Sequence, residues 1–229
     1  MIRRMAVVRI FACLLAAFAP NCAAAPMPAT IGNDRLVLDS PPGFSDSLQL
    51  ASPRLQELAE SLTSASDRVL LFALADADLR AFMQGDPPAF RRYMVISTPV
   101  RFERERVDTT LFASTVTDTM RQMGKPVPPD DYIKHLDAQP TGSPSLLAEL
   151  RREPETVSLL QGTRLLVPAT KFWENDKSRY VLSSQTMLLL RGKVLSLVII
   201  SNLEGRPDYD WMLQTTERWI EELGRLNRR

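Results

Sequence analysis

The chain has 229 residues, 45% apolar and 24% charged, with 28 Lys+Arg against 27 Asp+Glu. That composition excludes disordered, fibrous and polytopic membrane classes, and 9 glycines against 17 prolines exclude collagen-like and Gly/Ser-linker chains. The near-neutral balance leaves no global basic footprint for nucleic acid. The bias of 23 Arg over 5 Lys fits GC-rich bacterial coding.

Residues 1–24 read as a secretory signal peptide. Arg3, Arg4 and Arg9 precede an apolar core, Ile10 to Ala19, and a small-residue stretch closes at Ala24. At the helical rise that core is roughly 15 Å long, half of the ~30 Å hydrocarbon layer. Cleavage after Ala24 leaves 25–229 as the expected mature domain, with 25 Lys+Arg against 27 Asp+Glu, net −2. The expected location is periplasmic or secreted. Both cysteines, Cys13 and Cys22, leave with the signal. The mature chain therefore carries no disulfide framework, thiol nucleophile or zinc–thiolate site. Ala19-Pro20-Asn21 departs from the usual lipobox, so no lipid anchor at Cys22 is expected. No later apolar stretch reaches 18 residues, so no membrane span is expected.

From the mature N-terminus onward, Asp34–Ser40 alternates as a strand and stops at Pro41-Pro42-Gly43-Phe44. Ser52-Pro53 is a cap with proline at the first helical position, opening an amphipathic helix over Pro53–Ser64. Arg68–Ala75 is an apolar strand, and Asp76–Gln84 a short helix with Leu79, Phe82 and Met83 inward. Arg91–Thr98 is a strand. Thr109–Met123 is a helix with Leu111 and Phe112 inward, closed by Gly124. A Pro-rich insertion or loop spans about 125–144 and is a candidate lid. Ser143-Pro144 reads as a second cap, before a helix over Ser145–Arg152. Arg164–Trp173 and Arg179–Leu190 read as strands. Arg191-Gly192-Lys193 is a tight hairpin turn and Val194–Asn202 the return strand, apolar enough to be covered on both faces. A final helix, Pro207 to about Leu226, carries a stripe of Met212, Thr216, Trp219, Leu223 and Leu226. Hairpins and helices in irregular order predict an α+β fold, a mainly antiparallel sheet with helices packed on it.

Three of these segments together resemble the Mog1/PsbP group of α/β/α sandwiches: the strand ending in Pro41-Pro42-Gly43-Phe44, the hairpin Met187–Val198, and the closing helix with Trp211 and Trp219. The resemblance implies that sandwich fold, an exported bacterial protein of unassigned role, and binding of a protein partner without chemistry. It carries over no functional residue.

Chemistry is sparse. There is no Gly-x-Ser-x-Gly, Ser-x-x-Lys, Gly-x-x-x-x-Gly-Lys, Gly-x-Gly-x-x-Gly or His-Glu-x-x-His. The single histidine, His135, lies four residues after Asp131, one helical face if the segment is a helix, and is the candidate metal or acid–base pair. Trp173 and Tyr180, set among charges, are the candidate partner-binding aromatics. Arg101–Arg106 alternates charges as an edge strand would. The expectation is a non-enzymatic binding or accessory domain with no cofactor, serving an unknown envelope protein or small ligand. The alternatives are a periplasmic hydrolase or metal-dependent enzyme around Asp131 and His135, and a carrier of a small apolar ligand between sheet and helix.

Overall fold

Apolar alternation and helical periodicity settle into nine strands and five α-helices among the described residues of the computed structural model, which are 26–86, 88–122, 125–127, 132–167 and 177–228. In chain order these are β1 (Met27–Ile31), β2 (Asp34–Leu38), β3 (Phe44–Asp46), α1 (Pro53–Ser61), β4 (Asp67–Ala75), α2 (Asp76–Gln84), β5 (Arg92–Pro99), α3 (Thr109–Gln122), α4 (Tyr132–Ala138), β6 (Pro144–Glu153), β7 (Thr156–Val167), β8 (Lys177–Leu190), β9 (Lys193–Leu203) and α5 (Arg206–Asn227). Short 3-10 turns lie at Ser47–Leu50 and Val100–Phe102.

Seven strands form one antiparallel sheet in the order β3-β4-β5-β9-β8-β7-β6, while β1 and β2 pair with each other alone. β9 is central, which explains its near-continuous apolar run. One face of the sheet carries Leu71, Ala73, Met94, Ile96, Leu197 and Ile199, covered by the β1–β2 hairpin, α4 and α5. The other carries Phe72, Leu74 and Val95 under α1 and α2, and Val157, Leu159 and Val194 under α3. The architecture is three layers. On α5 the buried positions are Tyr209, Met212, Thr216, Trp219, Ile220, Leu223 and Asn227. The last of these replaces Leu226 at the end of the expected stripe. Two other residues expected inward face solvent: Met83 is 67% exposed and Leu111 45%, because Phe82 and Phe112 take the inward positions of α2 and α3.

Three expectations are corrected. The Ser145–Arg152 helix is strand β6. Pro144, read as a helix start, instead opens an edge strand, where its missing N–H costs no ladder bond. Two register shifts, between Leu146 and Ala148 and between Glu149 and Arg151, insert extra residues. Adjacent Leu146 and Leu147 are therefore both buried, and strict alternation is lost. The strand expected from Arg164 begins at Thr156, and its buried first half lies between β6 and β8. Arg101–Arg106 is not a strand but a 3-10 turn and bends.

That loop is the meeting point of three turns. Arg191 (φ 53°) and Gly192 (φ 79°) form the two-residue turn between β8 and β9, both with the positive φ a primed hairpin turn needs. Lys193 follows, 2% exposed, and its Nζ donates to the carbonyls of Glu103 and Glu105 at 2.8 Å each. It also sits 3.5 Å from Asp34 Oδ2, at the start of β2. Arg106 bonds the other Asp34 oxygen at 2.7 Å. That bond, against a burial penalty and aided by the charges of Arg106 and Lys193, holds the Asp34 carboxyl below the usual range. The turn between β1 and β2 presses on the same loop. A side chain at Gly32 (φ 58°) would put its Cβ 2.2 Å from the Glu103 carbonyl oxygen, so only glycine fits.

Burial acts oppositely on Asp46, at the end of β3. Its Oδ1 accepts from the Leu48 and Phe72 N–H groups at 3.2 Å each, whereas Oδ2 has no hydrogen-bond partner. Desolvation pushes this carboxyl above the usual aspartate range. The two backbone donors oppose it, as does the nearby Gln49 amide, whose geometry falls short of a hydrogen bond.

Two outcomes follow. Lys193→Met removes a buried cation that satisfies two carbonyls and one carboxylate, and should lower unfolding free energy by about 3 kcal/mol in chemical denaturation. An unchanged midpoint would show that the ammonium is dispensable. For Asp46 the folded pKa is raised, so the native state holds the proton more tightly than the unfolded chain. Its contribution is full below the unfolded pKa of about 3.9 and is lost as pH rises through the raised folded value. Asp46→Asn should therefore be more stable than wild type at pH 7, with the gap closing below about pH 4. A gap constant with pH would contradict the assignment.

Candidate functional site

Tyr180 lies at the end of the sheet where β9 stops, paired in register with Leu203 on one side and Arg164 on the other. Its hydroxyl donates to Asp137 Oδ1 at 2.5 Å, and this bond pushes the phenol pKa up. Asp137 belongs to α4, which sits on the sheet through buried Leu136. A Cβ on Gly162 would fall 2.9 Å from the Leu136 and Leu147 side chains, so glycine in β7 is what lets this helix approach. Tyr132 of α4 stacks on Tyr209 of α5 with centroids 5.7 Å apart. His135 is half-buried on α4. Its expected partner Asp131 lies outside the described residues, as do Trp173 and the Gly124 cap. Among the described residues no three His, Cys, Asp or Glu side chains converge as a metal site would need.

Beyond β5 and β9 the N-terminus of α5 gathers a second polar group. Arg92 donates to Asp208 Oδ1 at 2.7 Å and to Ser201 Oγ at 3.2 Å, with its guanidinium 3.9 Å above the Trp211 ring. Burial opposes ionisation of Asp208, but the Glu204 N–H and Arg92 outweigh it and hold the carboxyl below the usual range. Every polar group of Arg92 named here is committed to the fold. The 420 Å³ hollow beside it, which Arg91 and Asn202 also line, is a by-product of that packing.

The C-terminal half of α5 is different. Its outer residues and the Pro41-Pro42 turn enclose a groove of about 750 Å³. At its base Trp219, 3% exposed, donates from Nε1 to the Asp39 carbonyl at 2.7 Å and so fixes the turn to the helix. Burial raises the Asp39 carboxyl, opposed by the Ser40 N–H. Four arginines, Arg151, Arg218, Arg225 and Arg228, reach the groove. Arg225 is paired with Glu222 and Arg151 with Glu153. Arg218 and Arg228 have no ion-pair partner among the described residues. The sequence placed Trp219 in the core correctly. It gave no sign of the groove, because the proline turn and α5 are about 180 residues apart.

The protein is thus of the α+β class, a large antiparallel sheet with helices on both faces and an arginine-rimmed groove beside its last helix. No family model matches the chain, and no curated protein matches it. Among solved structures it is similar to the Saccharomyces cerevisiae Ran-binding protein Mog1p, at 12% identity and a TM-score of 0.36 over 88% of this chain and 94% of that one. A point mutant of Mog1 is similar at 11% identity with the same TM-score and coverage. The resemblance to these Mog1 structures is weak.

Truncating Trp219→Ala should cost about 3–5 kcal/mol, since it opens a cavity beneath the groove. Trp219→Phe should cost about 1 kcal/mol, for the lost bond to Asp39. Equal melting temperatures for all three proteins would show that neither the ring nor its N–H holds the turn.

Proposed function

We propose that this protein is an exported, non-enzymatic binding domain whose groove beside α5 receives an acidic, extended segment of an envelope partner. The carrying observation is the groove itself. It joins a concave surface with Trp219 and Pro41-Pro42 at its base to two arginines that have no acidic partner among the described residues. Arginine is among the residues that dominate binding energy at protein interfaces, and unpaired guanidiniums favour carboxylates in a bidentate geometry. The export half of the reading is supported by the charged, apolar and small-residue order of residues 1–24.

The test is a photo-cross-linking amino acid at Arg218, with the same group at exposed Glu57 on α1, across the sheet, as control. The expected result in the native envelope is one discrete adduct from position 218 only. It should disappear when Arg228→Glu is added or when an Asp/Glu-rich peptide is present in excess. Adducts absent, or equal from both positions, would contradict the groove. Mass analysis of the same material should give a chain beginning at Ala25. A cytosolic chain retaining Met1 would contradict export.

A further inference from the structure

We propose that the acidic partner segment does not end in the groove but runs on along the free edge of β2 to the three turns gathered around Lys193, so that the partner presents about eight extended residues instead of a short acidic motif. The proposal rests on the groove reading above and adds a second station to it. β2 pairs with β1 on one edge only. On the other edge side chains meet the backbone of alternate residues. Trp219 Nε1 donates to the Asp39 carbonyl at 2.7 Å, and Asn227 exchanges two 2.8 Å bonds with Val37. Arg191 then donates from Nη1 to the Arg35 carbonyl at 3.3 Å. This edge is therefore a line of side chains leading from the groove to the β8–β9 turn. Exposed Arg228, next to Asn227 and itself in the groove, links the two.

Both ends of that line carry unpaired guanidiniums. Like Arg218 and Arg228 in the groove, the exposed Arg35, Arg104 and Arg191 at the turns have no ion-pair partner among the described residues. These three belong to one locality. Arg191 touches the Arg35 backbone, and a Cβ at Gly32 in the β1–β2 turn would lie 3.3 Å from Arg104 Cα. The acids around them are mostly engaged. Asp34 is shared by Arg106 and Lys193, Glu103 is held by Arg68, and Asp108 caps α3 through the Leu111 N–H at 2.8 Å. Glu105 stands against the three free guanidiniums, as Asp39 and Glu221 stand among the arginines of the groove. The surplus at each station favours a carboxylate-rich occupant. The stations follow one strand edge in line, which fits an extended chain and not a flat anionic surface. Asp39 and Arg35 are about 14 Å apart at roughly 3.4 Å per residue, so a chain that spends about four residues in the groove needs about four more to reach Arg191.

The probes are end-capped oligo-aspartates, one of about four residues and one of about eight, titrated into the purified protein at one fixed ionic strength. The longer probe should bind the unaltered protein about tenfold more tightly, the yield of a few exposed guanidinium–carboxylate contacts. Arg35→Gln combined with Arg191→Asn should weaken the longer probe about tenfold relative to the shorter one. Asparagine suits position 191 because Asn-Gly is the favoured pair for a turn with positive φ at both residues. Arg218→Glu should weaken both probes. The length comparison uses the unaltered protein, so it stands even if a variant fails to fold. Equal affinity for the two lengths would overturn the second station and leave the groove standing. The same holds if the double variant weakens both probes alike or neither, as for a longer chain that merely slides over the groove. No saturable binding of either probe would refute the groove reading and the extension with it.

Discussion

The ammonium of Lys193 is the contact on which the layered arrangement turns. A two-stranded ribbon is marginal alone in water, and β1–β2 forms no ladder with the main sheet. It must therefore be held from its ends. At one end Lys193 joins Asp34 of the ribbon, the carbonyls of the 103–105 loop and the tight turn at the start of the central strand. Val107 N–H adds a 2.9 Å bond to the Gly192 carbonyl. At the other end Asn227, the last residue of α5, accepts from Val37 N–H and donates to Val37 C=O, both at 2.8 Å. One amide side chain thus supplies the two bonds a neighbouring strand would have given β2. With both ends held, Ile31, Leu36 and Leu38 stay fully buried over the sheet.

This arrangement also makes the surface that the binding proposal uses. Because β2 is fixed against α5, the chain leaving it must turn at Pro41-Pro42 directly beside the helix. Trp219 then locks that turn through the Asp39 carbonyl. The groove is what remains between a rigid proline turn and the outer face of a helix rich in arginine and glutamate. The groove depends on α5 staying in place, and its inward stripe of Met212, Trp219 and Leu223 is the apolar burial that keeps it there.

Legibility in the sequence followed the source of each signal. The β8–β9 hairpin, β4, α2 and α5 were readable because side-chain periodicity alone specifies them. The segment Pro144–Glu153 was misread because a proline after serine marks a helix start and an edge-strand start equally well, and because two bulges erased the alternation of Leu146 and Leu147. The loop character of Arg101–Arg106 is hidden because the groups Lys193 uses there are the Glu103 and Glu105 backbone carbonyls, which leave no trace in residue type. Lys193 looked like part of a polar turn and is buried. Of the candidate site residues, Tyr180 proved to be tied to α4 through Asp137.

A β1–β2 ribbon held at both ends, by Lys193 and by Asn227, should have no opening independent of the sheet. Native-state hydrogen exchange measures this directly, residue by residue. Amides of Leu36 and Val37 should exchange only through global unfolding, with the same opening free energy and denaturant dependence as Leu197 and Ile199 of β9. Exchange of the ribbon by a low-energy local opening, while β9 stays protected, would contradict it.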